Sequence, residues 1–243
     1  MRRAIFLIAL FAVIGAGCGG GDDDEQTTDS QEAQTSIEPE KQERAESMIL
    51  ELSDLPPGWR AGPVEEDEED ECEAADPDLS SVTETGEAES PNFQLGQEVI
   101  SSTATIYSDA EEAQRATDAR LEALADPERA DCLRDFFVDA AEEEEENVEI
   151  GEPQSGELSF AAPTGIQDPR AFQIVIPVEE AGSSSEAVFE FFFLHQDDAA
   201  AGLITYGIDD PLDPSLRDEL LQVVADRMLP TPLNAQPGTA EGP

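Results

Sequence analysis

Behind Met1-Arg2-Arg3 the chain opens on an unbroken apolar run, Ala4–Ile14, and then turns polar for more than twenty residues. Such a run is too short to cross a bilayer as a permanent helix. A basic start, a short apolar stretch and small residues after it read as an export signal over residues 1–17. From Gly19 to about Pro39, Gly, Asp, Gln, Thr, Ser and Glu dominate. They cannot bury enough apolar area to fold, so residues 18–41 are expected to form a tether. The tail, residues 230–243, has the same character. What lies between, residues 42–229, suits one domain.

Inside that span the periodicity changes several times. Arg44–Leu52 is helical in pattern and stops ahead of Pro56-Pro57-Gly58, since a residue before proline leaves the α region. Trp59 opens a short extended segment, and residues 73–90 read as loop with one helical turn near Leu79. Phe93–Tyr107 alternates: Ile100, Ala104 and Ile106 fall on one face and Ser101, Thr103 and Thr105 on the other, the pattern of a half-buried strand. Ser108-Asp109-Ala110-Glu111-Glu112 predicts a helix N-terminus. That helix should run to Ala125 and break at Asp126-Pro127, and a second follows with Leu133, Phe136, Phe137 and Ala140 on one face. Strands are predicted at 148–160, 172–178, 188–195 and 202–208. Asp213-Pro214-Ser215 starts a last helix with an apolar stripe of Leu216, Leu220, Val223, Val224 and Met228. The expected class is α+β: an antiparallel sheet of about five to six strands with helices mainly on one face.

Charge narrows the partners. There are 58 Asp and Glu against 12 Lys and Arg, a formal charge of −46, and loss of Arg2 and Arg3 with the signal takes this to −46 − 2 = −48. Nucleic acid and anionic lipid both require clustered basic residues, so neither is an expected partner. The only lysine, Lys41, lies at the edge of the tether. Such acidity fits a protein kept soluble at high salt, where counter-ions screen its self-repulsion. The acidic runs at 65–71 and 142–146 lack the Asp-x-Asp-x-Asp-Gly spacing of a Ca²⁺ loop and read as weak counter-ion attractors. No metal site or cofactor is expected.

The chemistry-bearing residues are few. Gly15-Ala16-Gly17-Cys18 resembles a lipobox, with Gly15 where leucine is usual. The resemblance implies cleavage before Cys18 and lipidation of its thiol, which would anchor the protein to the extracytoplasmic face of the cell membrane; the alternative is a secreted protein. Two or three acyl chains suffice for stable attachment. Without lipid, Cys18 would be an exposed thiol in an oxidising compartment. Cys72 and Cys132 remain as a disulfide pair closing a loop of 132 − 72 + 1 = 61 residues, the alternatives being two unpaired thiols or a metal pair. No other cysteine or clustered histidine is present to complete a zinc site. The one histidine, His195, ends a strand. No G-x-S-x-G, H-E-x-x-H or phosphate-cradling glycine loop occurs, so no catalytic residues are assigned. Phe189–Phe193 reads as core strand buried on both faces. Phe192 and Trp59 are the candidates to line an apolar cleft instead.

The order of these features is similar to the PknH-like extracellular sensor domains of actinobacteria. The likeness rests on Asp54-Leu55-Pro56-Pro57-Gly58-Trp59, a following cysteine, Val99-Ile100-Ser101-Ser102, and Tyr107-Ser108-Asp109-Ala110-Glu111-Glu112-Ala113 leading towards Cys132, and it covers roughly residues 45–229. It implies an antiparallel sheet flanked by helices around a ligand cleft, braced by disulfides. The expected function is therefore that of a non-catalytic envelope lipoprotein binding a small or lipidic ligand, or an envelope partner. An acidic interaction or structural protein is the alternative, and a hydrolase with a carboxylate site stands last. If the charge reading is right, the melting temperature of the purified domain rises between low and molar salt in a thermal scan; a flat or falling profile would refute it.

Overall fold

Bulky apolar residues crowd the second half of the chain, and the two longest strands form there. The computed structural model describes residues 34–62, 77–143, 148–180, 182–209 and 211–229. In chain order the strands are β1 (Gln34–Thr35), β2 (Arg60–Ala61), β3 (Thr83–Glu89), β4 (Phe93–Leu95), β5 (Glu98–Tyr107), β6 (Val148–Ile150), β7 (Gln154–Glu157), β8 (Gln167–Glu180), β9 (Ser183–Gln196) and β10 (Ala199–Ile208). The helices are α1 (Pro39–Met48), α2 (Ala110–Ala125), α3 (Pro127–Glu143) and α4 (Pro214–Met228). All ten strands join one sheet, of order β1-β3-β5-β10-β9-β8-β6, with β2 and β4 beside β5 and β7 beside β8. Every pairing within it is antiparallel except β1 with β3.

The sheet thus has more strands than the five to six expected, for identifiable reasons. Thr83–Glu89 reads Thr-Glu-Thr-Gly-Glu-Ala-Glu, poor in strand formers, yet pairing with β5 makes it β3. Tertiary context overrides a weak local preference. The predicted strand Phe93–Tyr107 is cut by a tight turn at Gly96, whose φ of 67° suits glycine, and folds back on itself with Phe93 opposite Ile100. The predicted strand 148–160 is β6 and β7. Val148 lies opposite Glu180 and Gln154 opposite Val175, so the register slips by one residue between them. Pro153 sits at that irregularity, where no ladder donor is needed.

Helices cover both faces, correcting the expectation of one. In β9, Phe189, Phe191 and Phe193 pack with Leu124 of α2 and with Leu133 and Phe137 of α3. Phe192 and Leu194, pointing the other way, pack with Met48 of α1 and with Leu220, Leu221 and Val224 of α4. A strand apolar at both parities requires two covers. β5 follows suit: Ser101, Ser102 and Thr105, the first and last of them expected to face solvent, are buried.

Among the described residues, elements are present ahead of residue 42: β1 at Gln34–Thr35, and α1 begins at Pro39, where proline suits a first helical position. This segment seals the β3 edge. Ser36 N–H donates to Glu84 O, Glu38 N–H donates to Thr85 O, and the Gln42 carboxamide both donates to and accepts from the Glu87 backbone. α1 comes so close that a Cβ on Gly86 would lie 2.5 Å from the Lys41 carbonyl carbon. Backbone cannot yield as a flexible side chain can. Gly86→Ala is therefore expected to lower unfolding free energy by about 1–3 kcal/mol through overpacking, read as a reduced urea midpoint with an unchanged slope; an unaltered midpoint would show that α1 is free to shift.

Candidate functional site

Of the residues singled out from sequence, Cys18 and Cys72 lie outside the described residues. Cys132 is on α3, half-buried, and is not a free thiol. Trp59, 6% exposed, and Phe192, 0% exposed, belong to the same apolar cluster under α1 and α4. Phe192 touches Phe160 edge-on, with ring centroids 5.2 Å apart, and Arg217 stands over its face. Both side chains are core. His195 is near the end of β9, half-buried, with Nδ1 enclosed and without a hydrogen-bond partner. Among the described residues no group of His, Cys, Asp or Glu is arranged to hold a metal ion, and no helix is long and apolar enough to cross a membrane.

The structure gathers polar groups on the other face, beneath α2. Asp109 caps that helix by accepting from Glu112 N–H, and the Glu112 carboxylate accepts from Thr83 N–H at 2.8 Å, tying the first turn to β3. The helix is thereby laid across β5. Its buried side is Ala113, Ala116, Thr117 and Leu124. Arg120 projects from the same side: Nη1 donates to the Tyr107 hydroxyl at 2.6 Å, and Nη2 lies 3.7 Å from Glu84 Oε1. Glu84 is only 1% exposed and Tyr107 fully buried.

Burial pushes the Glu84 carboxyl above its usual range, with Arg120 opposing. It pushes the Tyr107 hydroxyl up as well, again against Arg120. Burial works against the Arg120 charge, but Tyr107 and Glu84 outweigh it and hold the guanidinium protonated. Beside this trio is a recess bounded by Thr117 and Arg120 of α2 and by Thr103 and Thr105 of β5, with Gly202 of β10 and Phe193 of β9 beneath. Its free space is about that of a single water molecule. A Cβ on Gly202 would come within 2.8 Å of Thr103 Oγ1, so glycine keeps the floor open. β5 alternates regularly here, which puts Ser101 on the same face as Thr103 and Thr105. Ser101 Oγ and Glu84 Oε1 are both buried without a hydrogen-bond partner.

A second buried pair lies on the opposite face. Glu190 of β9 accepts from Thr205 Oγ1 at 3.1 Å and stands 3.6 Å from Arg217 of α4. Burial raises its carboxyl too, against Arg217. At the β9–β10 turn Asp198 receives Lys41 and Arg44 of α1. Burial disfavours its charge, but the two hydrogen bonds and two cations prevail and hold it below the usual carboxylate range.

Sequence reasoning passed over Glu84, Arg120, Glu190 and Arg217. A signal was present for the two arginines: Ala113, Ala116, Thr117, Arg120 and Leu124 share one helical stripe, and so do Arg217, Leu220, Leu221, Val224 and Met228. An arginine inside an apolar stripe must find a buried acceptor. Nothing local marks which of 58 acidic residues supplies it. Chemically the α2 seam offers hydroxyls, one guanidinium and one carboxylate with no net charge, a set suited to recognition by hydrogen bonds.

No family model, curated protein or solved structure matches this chain.

The raised carboxyls carry a pH signature. A proton held more tightly by the folded state stabilises it fully below the unfolded value of 4.5, and that contribution is lost as pH rises through the raised folded values. Asp198 acts in the opposite sense, its contribution fading only as pH falls below the usual Asp range. The urea midpoint should therefore rise as pH is lowered from neutrality towards 5, and a Glu84→Gln/Glu190→Gln double variant should flatten that rise. A double variant as pH-dependent as the parent would remove these two residues as its source.

Proposed function

We propose that this chain is a non-catalytic lipoprotein of the cell envelope, held at the extracytoplasmic face of the membrane through Cys18, whose domain binds a small ligand at the recess between α2 and β5. The observation that carries this reading is the polarity of a buried surface. A helix that served only to close a core would cover apolar side chains, because burying polar groups without partners costs stability. α2 covers apolar rings of β9 but also Thr103, Thr105 and Glu84, on a sheet face that carries Ser101 as well, and Glu84 and Ser101 keep orphaned oxygens. The ligand site moves away from Trp59 and Phe192, whose surroundings are filled, and a lipidic ligand loses its motive with it. The likeness to PknH-like sensor domains, with helices flanking an antiparallel sheet, favours the same reading. A Cys72–Cys132 disulfide would brace α3, worth about 4 kcal/mol on a chain-entropy estimate.

One observation favours a second reading, an acidic interaction surface. Lys41, Arg44, Arg115, Arg120, Arg134, Arg170, Arg217 and Arg227 each stand within 3.7 Å of a carboxylate. With these eight cations paired off, the exterior is left predominantly anionic and complementary to a basic partner.

Two measurements separate these readings. Native mass spectrometry of freshly purified protein, with a thermal-shift screen of metabolites, should return a ligand that raises the melting temperature. No added mass and no shift, together with a protein partner released by raised salt, would transfer the function to the acidic surface. Cys18→Ser should leave the membrane fraction, and its retention there would overturn the anchor.

A further inference from the structure

We infer that α2 is a lid and that the seam beneath it takes an uncharged, hydroxyl-rich small molecule of the polyol or monosaccharide class. This rests on the binding reading above and specifies it. The weakness of the lid follows from what the helix buries: Ala113, Ala116 and Thr117 contribute little more than methyl groups, and of its large apolar side chains only Leu124 is fully buried, with Leu121 packed half-exposed against the same cluster. Elements with little buried apolar area sit at the low end of local stability. The ends of α2 provide pivots. Asp109 adopts extended backbone before it, and Asp126, extended again, separates it from Pro127 and α3. Between those points the firmest ties are polar: Glu112 to Thr83 and Arg120 to Tyr107 and Glu84.

What the lid covers decides the ligand. As it stands the recess holds about one water molecule, so a larger guest requires the helix to lift. Lifting it would open Thr103, Thr105, Thr117 and Arg120 of the recess, with Glu84 beside Arg120 and Ser101 on the same face of β5, while Phe193 offers an apolar surface below. Glu84 Oε1, which has the Arg120 ion pair but no hydrogen bond, and Ser101 Oγ, buried without one, can accept hydrogen bonds, and the guanidinium and hydroxyls can donate. Adjacent hydroxyls on one molecule would satisfy both kinds of group. Charge excludes the other classes. Glu84 and Arg120 balance each other, so a charged guest would arrive as an unpaired charge at a buried site. An anion would also meet the field of a chain at −46.

The test uses the mature protein with glycerol, myo-inositol and glucose as probes, followed by hydrogen exchange and by thermal shift. In the free protein the α2 amides should exchange at least tenfold faster than those of β9 and β10. A bound probe should slow the α2 amides selectively. Thr103→Val, which keeps side-chain shape while removing one hydroxyl, should weaken probe binding at least tenfold without lowering the melting temperature; Ser101→Ala provides the same readout should that variant fold poorly. The inference is overturned if α2 is as protected as β9 in the free protein, or if probe binding is indifferent to both variants. A charged or apolar ligand captured at the recess would overturn the ligand class while leaving the binding reading intact. Failure of every metabolite as well as every probe would sink both.

Discussion

A strand that is apolar on both faces can be stable only when both are covered, and β9 imposes that constraint on the whole molecule. From Ala187 to Leu194 only Glu190 interrupts the apolar run, and all eight residues are buried. Fully burying a phenylalanine side chain is worth roughly 1.5–3 kcal/mol, so the four rings of β9 dominate their surroundings. Their alternation sends Phe189, Phe191 and Phe193 towards α2 and α3 and sends Phe192 towards α1 and α4. Three layers follow from one strand. The exception, Glu190, is met by Arg217 from α4 and Thr205 from β10, so even the fault in the apolar run is turned into a link between layers.

The acid-rich composition shapes the rest. With few cations against so many carboxylates, each lysine and arginine has many possible acceptors, and most have taken one that joins distant parts of the chain. Lys41 and Arg44 bind Asp198, fixing α1 to the β9–β10 turn. Arg227 donates to Ile49 O and to Asp54, fixing α4 to the end of α1. Exposed pairs contribute little individually, so the value of these links lies in register and orientation. The sheet edges are handled by other means. Segment 34–42 closes the β3 edge, with the Gln42 side chain standing in for a strand, and the slipped register at Pro153 interrupts the edge formed by β6 and β7. Both are recognised devices against edge-to-edge association.

How much of this is visible in the sequence depends on which physical signal each element carries. α2 and α4 are legible to within a residue or two because capping and proline placement are local: Asp109 and Asp213 cap them as their sequences predict. β9 is legible from its aromatic run. β3 is not, since its glutamates and glycine carry no strand preference and pairing with its neighbours, β5 above all, creates it. The alternation in β5 identifies a strand correctly but misleads about burial, because serine and threonine are expected to face water until a helix is known to lie over them. The candidate site suffers most. Trp59 and Phe192 attract attention as large apolar residues, and size is what draws them into the core. Glu84 and Arg120 are separated by 36 positions and meet only through the sheet, a relation that no local pattern encodes.

The polar seam under α2 is the one place where the fold departs from the economy seen elsewhere. On the α4 face, Glu190 has both a cation and a hydroxyl donor, and its arginine also stacks over Phe192. On the α2 face, Glu84 keeps one oxygen without a hydrogen bond, Ser101 keeps its hydroxyl unbonded, and the arginine lies beyond hydrogen-bonding reach of the carboxylate. The two faces are built from the same strands and the same composition, so the difference does not come from a general shortage of partners. Replacing Ser101 and Thr103 by valine would satisfy β5 as a strand and α2 as a cover equally well, and would remove the cost of the orphaned hydroxyl. Retaining hydroxyls where methyl groups would be more stable is the mark of a surface arranged for something other than closure. The helix over that surface buries mainly alanine and threonine along its length and a single fully buried leucine at one end, so the polar ties of Glu112 and Arg120 carry much of its attachment.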